Sequence, residues 1–210
     1  MKKVFLATIL VCSVGVLSAQ TYPDPEFTNE VYFLKKENPY SLVRLEKNSA
    51  KQEQKTNMIK GSEFGYEIDG KSAAVRFSTG SNLSFIFSNG SSSGSTNSKS
   101  DSVMRANGVD PNAFAGFGNS DPSSSITLYK LNIDGDSRKI YLQKTGGALP
   151  FSSHKNQSSD KYTFSVKKIR DGYWELIVDK TLPNGEYAFA ITGMGGMSMT
   201  SQTVFAFGID

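Results

Sequence analysis

In Lys161-Tyr162-Thr163-Phe164-Ser165-Val166-Lys167, apolar and polar residues alternate without a break. A helix repeats every 3.6 residues, so a period of two buries one side of an extended strand and wets the other. The pattern recurs down the chain: Ala73, Val75 and Phe77 share a face, as do Leu83, Phe85 and Phe87, then Trp174, Leu176 and Val178, then Tyr187, Phe189 and Ile191. Further runs at 31–35, 42–47, 62–68, 126–133, 138–143 and 204–207 also read as strands. Asp69-Gly70, Asp134-Gly135 and Asp171-Gly172 supply the positive φ of tight hairpins, and Pro183-Asn184-Gly185 turns the chain into the strand that follows. No sustained helical stripe occurs, although 111–117 could form one helical turn. About ten short strands with these turns predict an all-β fold, a single antiparallel β-sandwich. A β-barrel is the alternative, because closure leaves nearly the same pattern.

The first nineteen residues follow other rules. Lys2 and Lys3 precede an apolar run from Val4 to Leu17, and Leu17-Ser18-Ala19 offers a cleavage site. This reads as a signal peptide over 1–19, cut between Ala19 and Gln20. The apolar run is shorter than the roughly 20 residues that span a bilayer. Ile9-Leu10-Val11 before Cys12 lacks the small residues that lipoprotein processing prefers. The expected product is an exported chain, periplasmic or secreted. It has no cysteine, because Cys12 leaves with the signal, and no transmembrane segment. A domain of this size can bury a core without disulfides.

Lys2 and Lys3 belong to the 23 basic residues set against 20 acidic ones, so the mature chain is nearly neutral despite a sequence pI of about 8.8. That removes the electrostatic case for nucleic acid as a partner. Residues 20–210 are expected to form one domain with a flexible loop at 88–124. Within that loop, Ser88 to Ser102 contains eight serines and no apolar side chain, and so cannot offset its ordering entropy by burial. Asp101-Ser102-Val103 fits a short pattern for O-glycosylation at Ser102. The mixed charges of 35–60 read as a solvated strand face.

Catalytic chemistry has little to work with. His154 is the single histidine, no G-x-S-x-G elbow is present, and a second histidine or retained cysteine for an ordinary zinc site is missing. Glu67, Glu175 and Glu186 lie on expected strands, where they could serve a carboxylate-dependent hydrolase only if two faced each other across a cleft. Asp134-Gly135-Asp136 lacks the spaced ligands of a calcium loop and reads as a hairpin. Met194, Met197 and Met199 could set three soft sulfurs around one Cu(I), but the glycines among them mark a connection between strands. Most of the aromatic residues occupy the inward rows, so they are read as core. Trp174 and Tyr173 point to opposite faces, and an exposed Tyr173 would offer a stacking surface for a sugar or peptide.

From Gly185-Glu186-Tyr187-Ala188-Phe189 to Phe207-Gly208-Ile209-Asp210 the chain resembles the ending of a group of uncharacterised secreted bacterial proteins, in which two such strands pair. The resemblance covers about thirty residues and implies a β-domain in an exported setting, with no catalytic residue. The expectation is therefore an exported, non-enzymatic β-sandwich that binds an unknown protein or carbohydrate partner, with no cofactor. Copper handling and carboxylate hydrolysis are the alternatives.

Overall fold

A computed structural model describes residues 21–57, 61–78, 83–89, 121–145, 157–191 and 200–210. The Ala19–Gln20 junction, Ser102, His154 and the methionines Met194, Met197 and Met199 lie outside the described residues, as does most of the serine-rich loop. The described strands are β1 (Glu30–Lys35), β2 (Ser41–Arg44), β3 (Glu46–Asn57), β4 (Gly61–Asp69), β5 (Arg76–Phe77), β6 (Ser84–Ser88), β7 (Ile126–Lys130), β8 (Asn132–Asp134), β9 (Ser137–Thr145), β10 (Lys161–Tyr162), β11 (Phe164–Arg170), β12 (Tyr173–Val178), β13 (Gly185–Ile191) and β14 (Ser201–Ile209). Among the described residues no helix is long and apolar enough to cross a membrane.

Two sheets form. The first has the order β11-β12-β6-β1-β2, antiparallel throughout. The second has the order β10-β7-β13-β14-β3-β4-β9-β8, with β5 added parallel to β14. Only Leu131 separates β7 from β8, yet β8 ends that order while β7 stands second from its other end. The second sheet therefore curls round until β9 pairs with the continuation of β7. At the join, Leu131 N–H donates to Glu186 O at 2.8 Å. Both sequence alternatives are realised in part: a sandwich in which one sheet is rolled towards a barrel.

The period-two rows sort into the cores this geometry creates. Val31, Phe85, Phe87, Trp174 and Leu176 of the first sheet meet Leu128, Tyr187, Phe189, Phe205 and Phe207 of the second. Phe85 is the centre of this layer, with ring centroids 4.8 Å from Phe189 and 5.1 Å from Phe207. The opposite faces of β13 and β14 point into the curl, where Ala188, Ala190, Val204 and Ala206 pack with Ala50, Ile68 and Ile140. Small residues belong there because a tightly rolled sheet leaves little interior space.

One mouth of the curl is closed by charge. Arg138, 1% exposed, donates from Nε to Gly70 O at 3.0 Å and from Nη2 to Glu46 Oε1 at 2.8 Å. Its Nη1 lies 3.8 Å from Glu186 Oε2, and Glu186 Oε1 pairs with Arg76 Nη1 at 2.5 Å. Arg76 in turn clasps Asp210, with Nε 2.9 Å from both carboxylate oxygens. Of the stretch that carries Ala73, Val75 and Phe77, only Arg76–Phe77 is strand. Ala73 N–H donates to Glu186 Oε2 at 2.7 Å and Ala74 N–H to Glu46 Oε2 at 2.5 Å, so these backbone donors serve carboxylates instead of a ladder.

The first sheet is covered on its outer face too, which corrects the expectation that only one of Tyr173 and Trp174 is buried. Tyr173 and Trp174 are 1% and 2% exposed, each under a different layer. The segment 22–27 crosses the outer face as a strap. Tyr22 Oη donates to Glu175 Oε2 at 2.9 Å, Tyr173 Oη donates to Pro23 O, Arg170 pairs with Asp24, and Phe27 N–H donates to Tyr32 Oη at 3.0 Å. Burial and the neighbouring Glu175 carboxylate push the Tyr22 phenol up to about 12. Beneath the strap, Glu175 pairs with Lys36 at 2.7 Å, and Glu30 with Arg44 at 2.7 Å and Lys47 at 3.0 Å.

Replacing Arg138→Ala leaves Glu46 and Glu186 facing each other in a buried mouth. Breaking a buried pair from one side costs about 3–5 kcal/mol. Because Arg76 still reaches Glu186, a loss of about 3 kcal/mol is expected in urea unfolding. The pH response has a definite sign as well. Burial raises the carboxyls of Glu30, Glu46 and Glu175, but hydrogen bonds from Arg44 and Lys47, from Arg138, and from Lys36 and Tyr22 outweigh it and hold all three below their ordinary value of 4.5. Each contributes stability that is fully present above that value and is lost as pH falls through the depressed one. The thermal midpoint should be level from pH 7 to pH 5 and fall steeply below about 4.5, measured by circular dichroism.

Candidate functional site

β3, β4 and β9 turn one face away from both cores, and the registers arrange that face as a grid. Glu53 stands opposite Gly65, which stands opposite Tyr141; on one side the row is Lys55, Glu63 and Lys144, and on the other Lys51, Glu67 and Lys139. Opposite charges on neighbouring strands lie within reach of one another. Lys139 Nζ meets Asp134 at 2.6 Å and Glu53 at 3.0 Å, Lys55 meets Glu53 at 2.5 Å, and Lys144 meets Glu63 at 2.7 Å. Burial lowers the affinity of the Lys139 amine for its proton, but the bonds to Asp134 and Glu53 prevail and raise it. Burial likewise raises the Glu53 carboxyl, while bonds from Lys55 and Lys139 hold it below the usual range.

Gly65 is the centre of the grid. A bulge between Phe64 and Gly65 shifts the register and brings the backbones so close that a Cβ at 65 would lie 1.9 Å from Ile140 O. Only glycine permits that approach. The resulting notch, bordered by Glu53, Glu63, Tyr66, Lys139 and Tyr141, has about 10 Å³, at the lower limit for one water.

Tyr141 separates this notch from a larger depression. Asn132, Tyr141, Lys144, Gln157, Ser158 and Asp160 line an open groove of about 480 Å³, within the usual range of ligand sites. Its walls are fixed from behind. Ser159, 3% exposed, donates its N–H to Tyr141 O at 2.8 Å, while its hydroxyl accepts from Tyr141 N–H at 2.9 Å and from Asn132 Nδ2 at 2.8 Å. Lys144 and Gln157 exchange two backbone bonds of 2.8 Å, and Lys130 N–H donates to Asp160 O at 2.9 Å. The Lys144 amine sits 4.5 Å from the Tyr141 ring centroid.

The acids named from sequence are not brought together. Glu175 lies under the strap, Glu186 inside the curl, and Glu67 on the charged grid. Asp134-Gly135-Asp136 is the β8–β9 hairpin, with Asp134 paired to Ser137 and Gly135 at φ 61°. Among the described residues, the carboxyls that leave their ordinary range (Glu30, Glu46, Glu53, Asp134, Glu175, Asp179 and Asp210) all fall below it. No three histidine, cysteine or acidic residues gather as a metal site among the described residues. Comparison with family models, curated proteins and solved structures finds no match to the chain.

Sequence reasoning passed over Glu53, Glu63, Tyr141 and Ser159. The run Lys51 to Asn57 has no apolar residue to mark it as strand, and Ser159 sits between polar residues in a stretch without alternation. A usable signal was Gly65, an isolated glycine inside a strand pattern, which marks a bulge or a close backbone approach. Gly65→Ala should lower stability by about 1–3 kcal/mol through overpacking against Ile140 O, read as a drop in thermal midpoint. A midpoint equal to wild type would show that the backbones can separate there.

Proposed function

We propose that this chain is an exported, non-enzymatic binding module of the cell envelope, and that it meets its partner at the groove beside Tyr141. The observation that carries this reading is the groove itself: a concave polar surface whose walls are pre-set by the buried Ser159 hydroxyl. A rigid second layer of this kind reduces the ordering cost of binding.

A hydrolase needs a carboxyl held protonated near neutral pH to act as general acid. The environments described above push the other way, keeping carboxylates ionised and, Asp179 apart, paired with lysine or arginine. The export part of the proposal rests on Lys2, Lys3, the apolar run to Leu17 and the Ala19–Gln20 junction, together with the resemblance of the last two strands to those of secreted bacterial proteins.

Expression of the full chain in a bacterial host should yield exported protein whose intact mass corresponds to a start at Gln20. Material that keeps residues 1–19 and stays in the cytosol would overturn the export reading. Co-sedimentation with purified cell envelope should pellet the wild-type protein and leave a Tyr141→Ala/Asp160→Ala variant in the supernatant. Equal pelleting of the two would remove the groove from the proposal.

A further inference from the structure

We infer that the groove beside Tyr141 takes a neutral, polyhydroxylated ligand, a segment of glycan, and not a polyanion or an apolar peptide; this rests on the reading of the chain as a binding module.

Among the described residues, the charge of the lining disfavours anions. Lys144 is there the cation of the groove, and its amine is already engaged with Glu63 at 2.7 Å and sits over the Tyr141 ring. Asp160 brings a carboxylate to the same wall, so a phosphate or sulfate would meet a neutralised lysine and a repelling acid. Apolar ligands fare no better, since among the described residues the lining offers one aromatic ring and otherwise amide, hydroxyl and charged groups.

The remaining groups suit hydroxyls. The Asn132 amide N–H is engaged with Ser159 at 2.8 Å, which leaves its carbonyl oxygen as the end that can accept from a ligand. Gln157 supplies both a donor and an acceptor, Ser158 a hydroxyl, and Asp160 two acceptor oxygens that can take adjacent O–H donors. Each sugar hydroxyl is itself donor and acceptor, so a mixed lining can satisfy it in either sense. Tyr141 adds a ring edge and a phenol hydroxyl that can donate to or accept from a sugar hydroxyl. Ser159 is the positioning residue. It touches no ligand, but it holds Tyr141 through two bonds to the backbone and Asn132 through one.

The test uses the mature chain, residues 20–210, on an array holding neutral, sulfated and uronic-acid glycans, with titration calorimetry on the strongest hits. Neutral glycans should be retained. Asp160→Asn and Tyr141→Ala should each weaken binding at least tenfold with thermal midpoints near wild type. Ser159→Ala should weaken it less, with partial recovery in Ser159→Thr, which keeps the hydroxyl. Retention of sulfated or uronic glycans alone overturns the inference, as does binding of neutral glycans unaffected by Asp160→Asn and Tyr141→Ala. A blank array with envelope pelleting still dependent on Tyr141 and Asp160 overturns the glycan assignment and leaves the binding-module reading standing, with a protein as partner. A blank array with no groove-dependent pelleting overturns both.

Discussion

Arg138 is a cation placed where the rolled sheet would otherwise end in an open mouth, and much of the architecture meets at it. Its guanidinium reaches Glu46 on β3 and the carbonyls of Asp69 and Gly70 at the end of β4, and faces Glu186 on β13. These strands are far apart in sequence and not all adjacent in the sheet. A charge withdrawn from water is tolerated only when its partners are arranged around it, so this one side chain requires the roll to close with a particular register. Arg76 extends the chain of charges to Asp210 and ties the last strand to the segment that crosses the mouth.

The same logic, charges buried in matched pairs, recurs under the strap and on the grid around Gly65, with different consequences. Under the strap, Glu175 accepts from Tyr22, and Tyr32, itself bonded to Glu30, accepts from Phe27 N–H, so the segment 22–27 is held against the layer of Tyr32, Leu34, Ile86 and Tyr173. On the grid the charges neutralise one another at the surface, so the face carries many ions and little net field. What it leaves available is the depression beyond Tyr141, where the walls are held by a buried hydroxyl and the exposed groups are mostly uncharged. The groove shares Tyr141 and Lys144 with the grid, while Asn132, Gln157, Ser158 and Asp160 stand outside it.

Much of the fold was legible in advance and the candidate site was not. The rows at 83–87, 174–178 and 187–191 were read with the correct inward faces, because a period of two specifies a face once a strand forms. Gly135 and Gly172 turn hairpins as expected, at φ 61° and 69°. β3 ran far beyond its expected end because Lys51 to Asn57 is polar throughout, and its strand state comes from pairing with β4 and not from its own pattern. Only one of Tyr173 and Trp174 was expected to face the core, yet both are buried, since a strand cannot show that a distant segment will cross its second face. Ser159 had no local signal at all; it matters because β9 and the approach to β10 come together on either side of it.

By itself the sequence determined that the chain is made of strands, where most of them turn, and which large aromatic residues face inward. Those properties follow from neighbours two residues apart and from the backbone freedom of glycine. Only the tertiary structure decided that one sheet rolls until β9 pairs with the continuation of β7, that Arg138 and Glu175 are buried, and that Asn132, Tyr141 and Asp160 share a groove. Each of these depends on which remote partner arrives, because a polar side chain is stable at the surface when alone and stable inside only when matched.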